Sequence, residues 1–339
     1  MIASVVRVPW HTTHGGYDRL LDHLPQVRRI TPPVGPLATT AARAAHRLLA
    51  QRCPLPFYPA EHFATDLHLL ASCEAAHVLY GDEQYWFARH RLGPTAVTYH
   101  QPPAHLKQLL PPETWRRLAP TAEHIVVLDS HQQAFFTDLV PCERVHLVPH
   151  GIDTTAFTPP PWPPSWDRLR VLTVGWWLRD WEVLDAVHER LYRRYGGGVE
   201  LIVVTRQASR RPWHPAARVL EGITEQRLIA LYRQAAVMLL PLIDASANNA
   251  LLEAMACGAP VVATDVGGIR YYAGRGRAAV LTPPGDAAAA AEAVEQILAE
   301  TGTAAHAVRR AAAREQAELF AWPSVAEQMR DLYRLLEER

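Results

Sequence analysis

Short runs of β-branched and other apolar residues recur along this chain, separated by longer stretches in which apolar positions return every three or four residues. In the first half, "SVVRV" from residue 4, "AHVLY" from 76, "TAVTYH" from 95, "HIVVLD" from 124 and "RVHLVPH" from 144 predict strands. In the second half "LRVLTVG", "VELIVVT", "AVMLLPL" and "APVVATD" do the same. Helical periodicity fills the gaps, in "GYDRLLDHL", "WEVLDAVHERLYRRY", "TEQRLIALYRQA" and "NALLEAMACG". Strands alternating with helices of this length imply βαβ units and parallel sheets, hence an α/β chain of two open domains. Between the halves lies "TPPPWPPSW", residues 158–166, whose five prolines forbid a helix and favour a stiff connector. The expected domains are 1–160 and 161–321, followed by a helix over 322–339. The connector is either a hinge or a plain spacer.

One helix is informative in detail. In "ANNALLEAMACGAPVVATDVGG", residues 247–268, Ser246 or Asn248 caps a helix that Gly258 and Pro260 end. Leu251 and Met255 share one stripe, and Glu253 lies about 200° from both at about 100° per residue. The helix follows a strand, so its N-terminus sits at the carboxyl edge of a parallel sheet, where open α/β domains bind ligands and free N–H groups suit a phosphate. A carboxylate one turn further in suits a hydroxyl pair such as a ribose. An ordinary surface glutamate is the alternative.

Composition narrows the partners. The 339 residues carry 34 Lys plus Arg against 34 Asp plus Glu, so there is no global basic field for nucleic acid. Lys107 is the only lysine. Cys53, Cys73, Cys142 and Cys257 show no CxxC spacing and read as core thiols. No run of about 18 apolar residues suggests a membrane span. The first residues read as a strand rather than a secretory signal, which implies a cytoplasmic chain. The paired histidines His11 with His14, and His146 with His150, lie in strand or loop rather than on one helix face, and no metal is expected.

The stretch "NALLEAMACGAPVVATDVGG" resembles the nucleotide-sugar signature of the retaining glycosyltransferases of family 4. The likeness extends in order through "HGGYDRLL", "VTYHQPP", "IVVLDSHQQAFFTDLVPCERVHLVPHGIDTTAFTPP", "LRVLTVGWWLRDWEVLDAV", "VLEGITEQRLIALYRQAAVMLLPL" and "GGIRYYAGRGRAAVLTPPGDAAAAAEAV", and closes with "ELFAWPSVAEQMRDLYRLL". The resemblance implies a GT-B fold, two facing Rossmann-like domains with a cleft between them and a last helix crossing back to the first. It implies transfer of a hexose-type sugar from a UDP-, GDP- or ADP-sugar to a sugar, lipid-linked or small-molecule acceptor, with retention and without a bound cofactor or metal.

On this resemblance Glu253 binds the donor ribose, and Asn248, Asn249, Ala250 and Leu251 line the donor phosphates and sugar. Gly15 and Gly16 open the first helix where backbone N–H groups approach donor or acceptor, although a tight turn explains a glycine pair equally. His100 donates to a sugar hydroxyl or phosphate, with His14 and His150 as lesser candidates. Two departures stand out. The family's E-x7-E pattern has Ala245 in place of its first glutamate, with Asp244 beside it as a substitute. Its phosphate clamp, an Arg after the strand-end glycine and a Lys beyond, becomes Gly175 followed by Trp176 and no lysine. Arg179 is the replacement, unless it forms a surface ion pair with Asp180 or Glu182. At least one of Trp176 and Trp177 is expected in the core, and Arg206 on the surface.

Retaining transfer passes through an oxocarbenium-like state and needs no protein nucleophile. His100, Arg179 and Asp244 are the expected catalytic residues, with closure about the connector excluding water. A non-catalytic binding protein of the same fold, or an epimerase or hydrolase of nucleotide sugars, is the alternative. The segments 41–52 and 104–118 mix basic residues with leucines. They are either amphipathic surface helices or a peripheral contact with the inner face of a membrane.

Overall fold

The computed structural model describes residues 2–5, 14–31, 36–56, 58, 60–162 and 164–338. His11 and the end of the first expected strand lie outside the described residues. The chain divides into two compact units, Met1–Gly151 with Trp322–Arg339, and Ile152–Ala321.

The first unit has one sheet of six strands: β1 (Ile2–Val5), β2 (Arg28–Ile30), β3 (Ala75–Val78), β4 (Thr95–Thr98), β5 (His124–Val127) and β6 (Val145–Leu147). Their order is β2-β1-β3-β4-β5-β6, and every pairing is parallel. The inner strands β3, β4 and β5 are buried along their whole length, because helices cover both faces of a parallel sheet. The one imidazole on β3, His77, is satisfied inside that core. It bonds Thr98 Oγ1 on β4 and the Tyr333 hydroxyl on the last helix, Trp322–Glu337, each at 2.7 Å. Burial pushes its pKa down to about 3, so it is a neutral strut. That helix is thus part of the first unit, and Arg330 donates to the His23 carbonyl at 3.0 Å.

The second unit has β7 (Leu169–Val174), β8 (Val199–Val204), β9 (Ala217–Leu220), β10 (Val237–Leu240), β11 (Val261–Thr264) and β12 (Val280–Thr282). The order is β12-β11-β10-β7-β8-β9, again all parallel. The proline-rich connector packs on this unit. Phe157 is in its core, Pro159 lies beneath Gly258, and Trp166 meets the His306 ring edge-on at 4.9 Å.

Three strands escape the sequence pattern: β2, β9 and β12. All three are sheet edges, paired on one side only and partly exposed, so their apolar pattern is diluted.

Candidate functional site

Strand order marks a candidate ligand position in the second unit. In this winding the chain leaves β7 toward one edge and returns to β10 toward the other, so β7 and β10 are neighbours with helices departing to opposite faces. In open parallel sheets the region beyond the carboxyl ends at such a switch point is the usual ligand position. Gly175 and Arg179 follow β7; Asp244, Asn248, Asn249, Ala250, Leu251 and Glu253 follow β10. The two loops are knit together. Arg179 bridges Leu242, the Ile243 N–H donates to the Leu178 carbonyl at 2.9 Å, and the Asp180 N–H donates to the Pro241 carbonyl at 3.1 Å.

Arg179 sits inside the first loop rather than at its surface. Its Nε and Nη2 donate to the Val174 carbonyl at 3.0 and 2.7 Å, and Nη1 donates to the Trp177 carbonyl at 3.0 Å. The surface ion pair weighed for it does not form: Asp180 instead caps the helix Trp181–Tyr195 through the Val183 N–H. Among the described residues no carboxylate pairs with this guanidinium, and burial pushes its pKa down to about 10. Gly175 is required here, because its φ is +104° and a Cβ would lie 2.2 Å from Arg179 Nη2. Leu178 also takes a positive φ, 52°. Arg179 takes the interior of this loop, and neither Trp176 nor Trp177 enters the core. They are 38% and 39% exposed, with rings 5.5 Å apart. Arg206 is exposed.

The second loop leads into the helix Asn249–Ala256. Asn248 caps it, its Oδ1 accepting from the Leu251 N–H at 3.1 Å. Leu251 therefore has no N–H to offer a ligand, which leaves those of Asn249 and Ala250 at the helix start. Glu253 is buried, 8% exposed, and its Oε2 accepts from the Tyr232 hydroxyl at 2.8 Å. Burial raises its pKa to about 7 despite that bond. Oε1 accepts nothing from the described residues. The surface-glutamate alternative is excluded. Asp244 is half-buried and its Oδ1 accepts from the Ala245 N–H at 2.8 Å. Ala245 itself lies against the turn after β11: its carbonyl accepts from the Gly268 N–H at 2.9 Å, and a Cβ on Gly267 would stand 1.9 Å from it. The hydroxyl of Ser246 is buried without a partner among the described residues.

In the first unit the order reverses between β1 and β3. Gly15 and Gly16 follow β1, Leu79–Asp82 follow β3, and His100 follows β4. Gly16 has φ 108° and Tyr17 begins a short 3₁₀ helix, Tyr17–His23, its N–H donating to the Tyr80 hydroxyl at 2.9 Å. Rings pile up around this point. His100 stacks on Tyr80 at 4.8 Å and meets Tyr17 edge-on at 4.9 Å, while His150 lies 5.5 Å from Tyr17 and 5.2 Å from Trp322. His14 is half-buried nearby in sequence, and His146 bonds His124 at 2.9 Å. Among the described residues no group of three His, Cys, Asp or Glu could hold a metal.

Sequence reasoning missed Tyr232, Ser246, Tyr17, Tyr80 and Asp82. Tyr232 had a signal, since it stands on the apolar stripe of "LIALYRQA" and a buried phenol needs a polar partner. The others are brought in by loops. Segment 104–118 turns its apolar side inward: Leu106, Leu110, Trp115 and Leu118 are buried, and Trp115 Nε1 donates to the Leu106 carbonyl at 2.8 Å. Among the described residues no helix is long and apolar enough to cross a membrane.

Residues 173–300, the span from β7 to the helix after β12, match the family described as glycosyl transferases group 1. That span, rather than the whole chain, carries the likeness to the family. It is 32% identical over 224 residues to a D-inositol 3-phosphate glycosyltransferase of Xylanimonas cellulosilytica, a match covering 56% of this chain and 51% of that one. The chain therefore spans about half the length of this relative. Over 121 residues it is 31% identical to a Corynebacterium urealyticum protein of the same name, covering 36% of this chain and 28% of that one. Among solved structures it resembles a sucrose-phosphate synthase from Thermosynechococcus elongatus, with TM-score 0.74, 20% identity and 99% of both chains covered. It also resembles Anabaena HepE in complex with UDP-glucose, with TM-score 0.67, 15% identity and 98% of both chains covered. The fold is GT-B, with two Rossmann-like α/β units.

Proposed function

We propose that this chain transfers a hexose-type sugar from a nucleotide-sugar donor to an acceptor hydroxyl with retention of configuration. The observation that carries this reading is the pairing, at one switch point, of a buried guanidinium and a buried carboxylate: among the described residues the first has no carboxylate partner and the second leaves one oxygen unused. A buried cation with no counter-ion costs several kcal/mol, roughly, unless an anion joins it. A donor diphosphate is such an anion, and a ribose diol is the natural donor to Glu253 Oε1. HepE, solved with UDP-glucose, favours a UDP-sugar over the GDP- and ADP- forms.

In this mechanism the diphosphate leaves and the acceptor hydroxyl attacks from the same face, through an oxocarbenium-like state. Negative charge grows on the leaving phosphate, and the stabilising groups are the Arg179 charge and the N–H groups of Asn249 and Ala250 at a helix N-terminus. The fixed loop carrying them needs no reorganisation at the moment of reaction. Tyr232 aims Glu253 at the ribose. Asp244 and the unpartnered Ser246 hydroxyl face the role of the absent first glutamate, holding the transferred sugar. His100 bonds the sugar or the acceptor from the first unit. The leaving phosphate takes the acceptor's proton, so the bond broken is C1–O of the donor and the bond formed is C1–O of the product.

The test is a thermal-shift screen against UDP, GDP, ADP and their glucose derivatives, since a ligand of the native state raises its apparent stability. A shift with one nucleotide family, followed by an α-linked product from an α-linked donor, is expected. No shift with any of them would sink the reading. So would unchanged donor affinity in folded Glu253→Ala.

A further inference from the structure

The four residues Leu79 to Asp82 surround His100 from three directions. The Leu79 carbonyl meets His100 Nε2 at 2.6 Å, the Tyr80 ring stacks on the imidazole at 4.8 Å and 21°, and Asp82 Oδ2 accepts from the His100 backbone N–H at 2.6 Å. Asp82 Oδ1 also reaches the Gln101 N–H at 3.4 Å. The sequence explains why a side chain is needed for this. The two residues after Gln101 are prolines, so the N–H groups of His100 and Gln101 are the last donors before the helix Pro103–Leu109. They lie beyond the end of the β4 ladder, half-buried, and require an acceptor that the sheet does not provide.

Gly81 brings that acceptor within reach. A Cβ there would stand 2.5 Å from Val97 Cγ1 and 2.9 Å from the Tyr99 ring, so the turn after β3 lies directly on β4 only because residue 81 has no side chain. Asp82 is 5% exposed and, among the described residues, accepts from no side chain. The carbonyl bond has its own consequence. A carbonyl oxygen only accepts, so His100 Nε2 carries the hydrogen and the basic nitrogen of the neutral ring is Nδ1.

We propose that Asp82 is a positioning residue: by gripping the backbone of His100 and Gln101 it holds the imidazole on the Leu79 carbonyl and fixes the tautomer with hydrogen on Nε2. This rests on the reading of His100 as a site residue.

The experiment reads the imidazole directly in the full chain with nitrogen-labelled histidine, His100→Gln assigning the signal. The native protein should show the Nε2–H tautomer, Asp82→Ala a mixture of both tautomers, and Asp82→Asn an intermediate, since an amide oxygen keeps the shorter bond. The same variants are assayed for UDP release from UDP-glucose with water as acceptor. Asp82→Ala should lower kcat at least tenfold with KM within about twofold, and should add nothing to His100→Ala. An unchanged His100 signal in folded Asp82→Ala, or additive losses in the double variant, would overturn the positioning role. Full turnover in His100→Ala would instead remove the reading on which it rests.

Discussion

The two units share a parallel α/β plan but are wound differently, and the difference decides what each presents to a ligand. In the first the order reverses between β1 and β3, in the second between β7 and β10. The second unit places buried ions at its switch point, Arg179 and Glu253, each held by neutral partners on neighbouring segments. The first places rings there, with His100, His150, Tyr17, Tyr80 and Trp322 in contact and Asp82 confined to gripping backbone. Fixed charges suit a donor whose phosphate becomes more negative as it leaves. Imidazole and aromatic faces suit a neutral hydroxylated acceptor.

The sharpest break of this contrast is Arg179→Ala. It removes the Arg179 donors from the Val174 and Trp177 carbonyls inside the loop, and should cost about 2–4 kcal/mol in denaturant unfolding. It should also weaken UDP-glucose binding about a hundredfold by calorimetry. Normal binding by a folded variant would show that the loop, not the charge, makes the site. Next comes Glu253→Gln, expected to weaken UDP-glucose about tenfold or more with stability preserved. His100→Ala should shift UDP affinity less than about twofold. Equal losses in both would erase the division of labour.

Gly175→Ala should destabilise by about 1–3 kcal/mol, because alanine disfavours the left-handed backbone and its Cβ displaces the guanidinium. Smaller still is the pH effect. Burial raises the carboxyl pKa of Asp66, Asp82 and Glu253 to about 7 each, while His77, His188 and His146 fall to about 3, 3 and 4. A carboxyl whose folded pKa is raised stabilises below its unfolded value and loses that stability as pH climbs through 7. A histidine with a lowered folded pKa stabilises above about 6.5 and loses that as pH falls. From pH 8 to 6.5 the carboxyls add about 2 kcal/mol and the histidines take back about 1 kcal/mol. Below 6.5 the histidines oppose them more strongly. The melting temperature should therefore rise from pH 8 to a broad maximum between about pH 5 and 6, and Glu253→Gln should remove about a third of the carboxyl gain. A monotonic fall from pH 8 to 6.5 would mean that these carboxyls stay ionised in the folded chain.

How far the chain was readable follows from what carries each feature. The inner strands announce themselves because strands buried on both faces must be apolar throughout, as "AVMLLPL" and "HIVVLD" are. The edge strands β2, β9 and β12 do not, since pairing on one side lets polar residues in. Glu253 was legible because a helix start, its cap Asn248 and the carboxylate all lie within six residues. Its partner Tyr232 was not, being 21 positions away on another helix.

The sequence by itself determined the α/β alternation, the family likeness and the position of Glu253 on its helix, because these depend on residues close together in the chain. Tertiary structure alone decided that Arg179 lies inside its loop, that both indoles stay outside it, and that Asp82 meets His100. Those outcomes depend on which loops the strand order brings to one sheet edge, and on the space a glycine such as Gly81 or Gly175 leaves for a distant side chain to fill.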